Sequence, residues 1–293
     1  MTTEASTLSV SDRGTECVIR VSGRQWIVSC AIFAALFSVA CRRDPPATAA
    51  ANGEPVSPAS ATATQAFPAS AFPGPDRRVA SIVSATWDNE DARDRVGEAD
   101  TVMSLLGIGV GMGVADIGAG SGYYTVRLSP RVGPTGRVYA EDITPDYIAD
   151  LRQRIRRDNL NSRARGNDST SIANVDIILG TPDDPRLPAA AVDRALFVHM
   201  YHEIEQPYAL MYNLFPALKP GAKVGVVDVD KPTSRHGTPP ALLKCEMAAA
   251  GYDQVEFHSL AVGYLAVFAP VRRSSPDDVR AAIAKPGFSE GRC

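Results

Sequence analysis

The residues that best define a chemistry are Asp116 and the glycine-rich run Gly118-Ala-Gly120-Ser121-Gly122. They lie between an apolar segment predicted as a strand and a segment predicted as a helix. Glycines at such a turn let the backbone approach a ligand closely. Tyr123 stands where a dinucleotide-binding turn needs a third glycine, and no Lys-Ser/Thr pair follows to make a P-loop. A carboxylate at Asp116 would repel a pyrophosphate, so the run favours a ligand that carries an ammonium group.

A second acid extends the predicted binding site. Asp142 ends the next predicted strand, where an acid in Rossmann-type sites hydrogen-bonds ribose hydroxyls. Glu141 is the alternative, because a shift of one residue along a strand changes which side chain faces the ligand. A ligand that combines adenosine with an amino acid and has no phosphate is S-adenosyl-L-methionine (SAM). The loop and the acids therefore predict a SAM site.

A further group of polar residues, His199 to Glu203, follows the fourth predicted strand. His202 is a candidate general base because histidine titrates near neutral pH, and Tyr201 is a candidate for orienting the methyl acceptor. Glu203 could set the histidine tautomer, although a simple charge at a helix N-terminus is the favoured interpretation. A structural hydrogen bond from His202 to a loop carbonyl is an equal alternative to catalysis.

Neither a metal ion nor nucleic acid is predicted as a ligand. Asp228, Asp230, His236, His199 and His202 could meet at the strand ends, but their spacings match no tight ligand pattern. The 30 basic and 33 acidic residues give a net charge of −3 and no basic patch for nucleic acid. Among the 293 residues, 45% are hydrophobic and 22% are charged, which excludes disorder throughout and a multi-span membrane protein.

Strands alternate with helices between residues 113 and 228, which predicts a parallel α/β sheet, and two consecutive strands follow. Five segments resemble the class I SAM-dependent methyltransferases in the right order: VADIGAGSGYYT, VYAEDI, LGTPDDPRLP, VDRALFVHMYHEI and ALKPGAKVGVVDVD. The resemblance implies one Rossmann-like domain with helices on both faces of a mostly parallel sheet. It also implies seven strands in the order 3-2-1-4-5-7-6, with strand 7 antiparallel.

The resemblance implies SAM as the cofactor and assigns residues to it. The implied cofactor-binding residues are Asp116, Gly118, Gly120, Ser121, Gly122, Asp142, Asp183 and His199. The first acid and the loop would meet the methionine end, and Asp142 would hold the ribose. Asp183, or its neighbour Asp184, would hold the adenine amino group. His199 would lie near the sulfonium.

The first eighty residues differ in character from the rest. Residues 26–40 are apolar and follow several arginines, as in a signal peptide, and are too few for a bilayer span of about 20 residues. They lead into Cys41, which resembles the lipidated cysteine of bacterial lipoproteins, although Ser38 stands where Leu is usual. Residues 42–80 are rich in Pro and Ala and predict a disordered tether.

The predicted organisation is a signal segment (1–41), a tether (42–80), a methyltransferase domain (81–270) and a C-terminal tail with a short helix (271–293). We expect methyl transfer to a small molecule, with lipid-like or quinone-like acceptors favoured by an anchor at a membrane. The expected location is the periplasm, as a lipoprotein. The cytoplasmic face or the cytosol is the alternative, because SAM is made in the cytosol.

Three further points stay open in the sequence. A non-catalytic lipoprotein that keeps the fold as a binding or scaffold module is the rival to an enzyme. Cys245 and Cys293 could pair if the domain is exported. The sequence does not define the oligomeric state.

Overall fold

The apolar segments that the sequence predicts as strands are hydrogen-bonded to one another in a single sheet. The computed structural model describes residues 67–82, 90–165, 172–288 and 291–293. Its strands are β1 (Gly113–Ile117), β2 (Arg137–Asp142), β3 (Val175–Leu179), β4 (Val192–Val198), β5 (Leu218–Asp228), β6 (Tyr252–Ser259) and β7 (Tyr264–Pro270). Their order is β3-β2-β1-β4-β5-β7-β6. β1 to β5 are parallel, and β7 is antiparallel to β5 and β6. The predicted fold class is confirmed.

Helices connect these strands and cover both faces of the sheet. They are α1 (Glu90–Arg95), α2 (Glu98–Leu105), α3 (Tyr123–Val132), α4 (Pro145–Ala164), α5 (Pro207–Leu214), α6 (Pro240–Ala250) and α7 (Pro276–Ile283). The apolar spacing before β1 predicts one helix, whereas the structure has α1 and α2. Gly97 separates them with a φ of +64°, a left-handed conformation that a continuous helix cannot contain.

Successive side chains of a strand point to opposite faces, so the sheet buries two apolar layers. On one face Val114 packs with Val102 of α2 and Leu128 of α3. On the other face Phe197 packs in the cluster that includes Leu214 of α5. The carboxyl ends of β1 and β4 are thereby left open at the point where the strand order reverses. Ligands of open α/β sheets bind at this point.

An N-terminal arm, residues 67–82, packs against this domain. Phe72 is buried, and its ring centroid lies 5.1 Å from that of Tyr212. Arg77 donates from Nε to Glu246 Oε1 at 3.0 Å, with both side chains almost fully buried. The predicted tether is therefore wrong for residues 67–80. The Pro- and Ala-rich average over residues 42–80 gave no sign that Phe72 and Arg77, near its end, pack against the domain. Residues 42–66 lie outside the described residues.

The C-terminal segment also belongs to the folded unit. Val279 of α7 is fully buried in the same apolar cluster as α5 and α6. Cys245 of α6 and Cys293 form a disulfide, which is the pairing left open by the sequence. Of the helices that the structure describes, none combines the length and apolarity needed to cross a bilayer. The apolar segment 26–40 and Cys41 lie outside the described residues.

Replacing Arg77 by Met should lower the free energy of unfolding by about 3 to 5 kcal/mol, because it leaves the Glu246 carboxylate buried without its partner. Urea unfolding followed by circular dichroism measures this loss. The control is Arg78→Met, because Arg78 is exposed beside it. We expect a change within about 0.5 kcal/mol for the control. Equal losses for the two variants would contradict the buried ion pair as an anchor of the arm.

Candidate functional site

A cavity of about 490 Å³ opens at the carboxyl ends of β1, β2 and β4. This volume lies within the roughly 300–1,000 Å³ that is usual for cofactor and ligand pockets. We call one side the nucleotide wall, formed by Gly118–Ser121, Glu141–Thr144 and Thr181–Pro182. We call the other side the acceptor wall, formed by His202–Glu205, Leu210 and His236. Five of the ten predicted site residues lie on these two walls, namely Gly118, Gly120, Ser121, Asp142 and His202, and His199 also lines the cavity.

The glycine-rich loop forms the first part of the nucleotide wall. Gly118, Gly120 and Gly122 all have positive φ, at +67°, +54° and +85°. At Gly122 an added Cβ would lie 2.3 Å from Leu151 Cδ1, so a larger residue would have to displace the Leu151 side chain of α4. At Gly120 an added Cβ would meet nothing within 4 Å, and this open space faces the cavity. The loop is therefore shaped so that a ligand can lie against its backbone.

Asp116 lies beneath the loop rather than on the cavity wall. It is 3% exposed, and its Oδ2 accepts a hydrogen bond from Thr125 Oγ1 at 2.6 Å. Burial raises the pKa of Asp116 to about 6, although the Thr125 hydroxyl opposes the shift. A nearby cation would favour its ionised form.

Asp142 and Glu141 close the nucleotide wall at the end of β2. Asp142 accepts backbone hydrogen bonds from Gly120 at 2.9 Å and Thr144 at 2.8 Å, which fixes the loop. Glu141 Oε1 is buried and has no hydrogen-bond partner among the described residues. Burial and the adjacent Asp142 raise the pKa of Glu141 to about 8. Glu141, the alternative to Asp142 in the sequence, is thus the acid at the end of β2 whose carboxyl group keeps an oxygen without a partner among the described residues.

The wall beyond β3 is formed by Thr181 and Pro182. The two predicted adenine-binding acids, Asp183 and Asp184, are not among the residues that line the cavity. Asp184 Oδ1 accepts the backbone N–H of Arg186 at 2.7 Å and so stabilises its own turn. The contact between Asp183 and adenine stays a prediction.

His199 lies on the cavity wall directly after β4, with a φ of +54°. Its Nε2 is 2.8 Å from Glu98 Oε2, and Arg93 contacts Glu98 Oε1 at 2.7 Å. Burial alone would raise the pKa of Glu98, but His199 and Arg93 outweigh it and lower that pKa to about 2. The contacts of Glu98 with His199 and Arg93 tie α2 to the cavity wall at the end of β4.

His202 lies on the acceptor wall, and Asp228 orients it. His202 Nδ1 is 3.0 Å from Asp228 Oδ2, and Asp228 is fully buried. The Asp228 carboxylate also accepts from Thr238 Oγ1 at 2.7 Å and from the Val229 N–H at 2.8 Å. The sequence suggested Glu203 for this role, but Glu203 Oε1 lies 3.8 Å from the other ring nitrogen, Nε2. The sequence did contain a sign of this role for Asp228, namely an acidic residue at the end of the strand next to β4.

The prediction that Tyr201 orients the acceptor is wrong. Tyr201 is 1% exposed and is not among the residues that line the cavity. Its ring lies 5.4 Å from the Arg77 guanidinium carbon, and burial together with the charge of Glu246 raises its pKa. Tyr201 and His202 are neighbours in a short 3₁₀ helix, so their side chains point to different sides of the loop.

Comparisons with known proteins agree with this geometry. Residues 115–226 match the model of a family described as a methyltransferase domain. The chain is 22% identical over 201 residues to a ubiquinone/menaquinone biosynthesis C-methyltransferase, UbiE, of Pseudomonas putida, covering 56% of this chain and 74% of that protein. A protein of the same name from Salmonella arizonae is 23% identical over 154 residues, covering 53% of each chain.

A solved structure shows the same fold. A SAM-dependent methyltransferase from Aquifex aeolicus superposes with a TM-score of 0.52 at 20% identity, covering 59% of this chain and 90% of that chain. The match to the methyltransferase domain supports SAM-dependent methyltransferase activity, with SAM as the cofactor.

The residues present fit SAM. Gly120 leaves open space for a ligand backbone, and Glu141 Oε1 is a buried acceptor without a partner. Both acids with raised pKa values, Asp116 and Glu141, would be stabilised in their ionised forms by a cationic ligand. The sulfonium and ammonium groups of SAM supply that charge.

The affinity for SAM should fall roughly tenfold between pH 7 and pH 5, because a group with a pKa near 6 is mostly ionised at the first pH and mostly protonated at the second. Glu141, with a pKa near 8 in the free chain, is mainly protonated over this range, and any ionisation of Glu141 by bound SAM adds to the fall. Isothermal titration of SAM at several pH values measures the change. The control is Asp116→Asn, which should bind more weakly and lose the roughly tenfold part of the pH dependence that Asp116 supplies. A wild-type affinity that is constant or rises toward pH 5 would contradict the role of Asp116.

Proposed function

We propose that this SAM-dependent methyltransferase methylates a small apolar ring compound that carries an ionisable hydroxyl group, such as a hydroquinone. The observation that carries the proposal is the His202–Asp228 pair on the acceptor wall. A histidine oriented by a buried carboxylate is suited to remove a proton from a bound hydroxyl group. Such a base is useful only to acceptors that must lose a proton to become nucleophilic.

The hydrogen bonds of Asp228 determine which nitrogen of His202 is available. Asp228 is surrounded by donors from Thr238 and Val229 and acts as an acceptor toward His202 as well. The proton of the imidazole therefore lies on Nδ1, and the lone pair lies on Nε2. His202 is only 2% exposed but lines the cavity, so Nε2 is the ring nitrogen that we expect a bound acceptor to reach.

His202 then takes the hydroxyl proton of the acceptor on Nε2. The oxygen lone pair that remains raises the electron density at the neighbouring ring carbon, which forms the new carbon–carbon bond. SAM, when bound, supplies the methyl group together with its own neutral leaving group. The ring carbon then loses its proton to solvent, and the oxygen takes its own proton back from His202, so the aromatic hydroquinone re-forms and one proton is released in all. The role of the chain is to align the two molecules and to receive the first proton.

Two further observations support a ring acceptor. Ile82, Ile204, Leu210 and Met200 give the cavity an apolar surface beside His202. Apolar side chains of this kind pack well against a flat ring. The relatives from Pseudomonas putida and Salmonella arizonae are named as C-methyltransferases of quinone biosynthesis. A quinone-type acceptor would also suit an enzyme held near a membrane.

We propose in addition that the chain is exported as a lipoprotein through Cys41. The Cys245–Cys293 disulfide supports this, because structural disulfides are typical of oxidising compartments and rare in the cytosol. Intact-mass measurement of the membrane fraction should show a chain that begins at a lipidated Cys41. A mature chain that retains residues 1–40 and is reduced at both C-terminal-half cysteines would contradict the proposal.

Replacing His202 by Gln should lower kcat for methyl transfer by about 10²- to 10⁴-fold, because the proton acceptor is lost. Transfer of labelled methyl from SAM to a series of soluble naphthohydroquinones measures this, and the dissociation constant of SAM should stay within about twofold. The control is His258→Gln, since His258 lies on β6 and pairs with Glu256 outside the cavity.

Two outcomes would contradict the proposed chemistry. One is full activity of His202→Gln alongside an active His258→Gln. The other is a wild-type chain that labels amines or thiols but no hydroquinone.

A further inference from the structure

We propose that His202, Glu203 and His236 bind one divalent transition-metal ion on the acceptor wall. Each offers one ligand atom, and these three atoms lie within 4.8 Å of one another. Glu203 Oε1 is 3.8 Å from His202 Nε2 and 4.0 Å from His236 Nδ1. Two ligand atoms that are each about 2.1 Å from one ion lie at most about 4.2 Å apart. Small side-chain shifts would therefore complete the geometry.

The position of His236 is the second observation that points to a ligand. His236 Nδ1 is buried, and it has no hydrogen-bond partner among the described residues. Its backbone has a φ of +53°, which is uncommon for a residue with a side chain. The imidazole stands edge-on to His202, with 5.5 Å between ring centroids. The loop thus holds an unsatisfied nitrogen close to a carboxylate and a second imidazole.

Asp228 supplies the outer part of the site. Metal-binding histidines usually donate their second N–H to a carboxylate, which fixes the tautomer and raises the basicity of the ligating nitrogen. His202 already has this arrangement, with Nδ1 on Asp228 Oδ2 and Nε2 toward Glu203. The sequence predicted no metal because the three ligands come from two loops 33 residues apart and follow no compact ligand spacing.

The ligand set defines the class of ion. Two imidazole nitrogens and one carboxylate oxygen suit Zn²⁺ or Fe²⁺, whereas Mg²⁺ and Ca²⁺ prefer oxygen ligands throughout. All three ligands line the cavity, so the remaining coordination positions face the space that an acceptor would enter.

If the proposed function holds, a metal ion at this site competes with the acceptor for His202. The lone pair of His202 Nε2 can bind either the ion or the proton of the acceptor. An ion at this site therefore removes the base, and methyl transfer falls while SAM binding on the opposite wall is retained. The site would make the enzyme sensitive to free transition metals.

Isothermal titration of Zn²⁺ into the full chain, without any added histidine tag, tests the site. We expect one equivalent to bind to the wild type and to the control His258→Gln. We expect His236→Asn to bind at least tenfold more weakly, since Asn tolerates the left-handed backbone but removes the imidazole. Circular dichroism verifies folding, and Glu203→Gln serves as the second variant if His236→Asn unfolds.

Each result is decisive. A wild type that binds no Zn²⁺, or a folded His236→Asn or Glu203→Gln with wild-type affinity, would overturn the site. Zn²⁺ that binds without lowering methyl transfer would overturn the competition at His202. The titration uses neither SAM nor an acceptor, so a failed hydroquinone assay leaves the metal site standing, and a failed titration leaves the methyl transfer standing.

Discussion

The hydrogen bond between His202 Nδ1 and Asp228 Oδ2 is the interaction on which the acceptor wall depends. It joins the loop after β4 to the end of β5, and Thr238 brings the loop between β5 and α6 to the same carboxylate. On the other side of the His202 loop, Arg77 donates to the backbone carbonyls of Tyr201 and His202. His202 is thus held by its ring and by its backbone. In the proposed reaction its remaining ring nitrogen takes the acceptor proton, and in the proposed metal site it binds the ion.

The nucleotide wall depends on a different constraint, the crowding of buried acids. Asp116 and Glu141 are both almost fully buried, and the adjacent charge of Asp142 makes ionisation of either one harder. A bound ligand with positive charge would lower the free energy of the ionised forms of these buried acids. SAM carries two cationic groups, so the same burial that disfavours the free carboxylates favours binding of the cofactor.

The features that could be predicted from the sequence are those that depend on short segments. The strand, loop and helix around Asp116 and Asp142 follow from about thirty consecutive residues, and the alternation of strands and helices determines the parallel part of the sheet. The exact strand order came from the resemblance of five ordered segments to a known family. Residue roles beyond the loop required knowledge of which side chains face the cavity.

The features that could not be predicted join distant parts of the chain. Arg77 and Glu246 are separated by 169 residues, so no pattern within a short stretch of sequence predicts that they pair. Tyr201 was misassigned because adjacent residues of a 3₁₀ helix point in different directions, and Tyr201 points away from the cavity. His236 joins the acceptor wall only because its loop returns to β5 through Thr238 and Asp228.

Binding of SAM is the most direct test of the central claim that this cavity is a methyltransferase cofactor site. The measurement is isothermal titration of SAM into the wild type, Gly120→Ala and Gly107→Ala. Both glycines have positive φ and open space at Cβ, but only Gly120 lines the cavity. We predict that the wild type and Gly107→Ala bind SAM equally and that Gly120→Ala binds at least tenfold more weakly. No wild-type binding at millimolar SAM, or equal binding by all three chains, would contradict the claim.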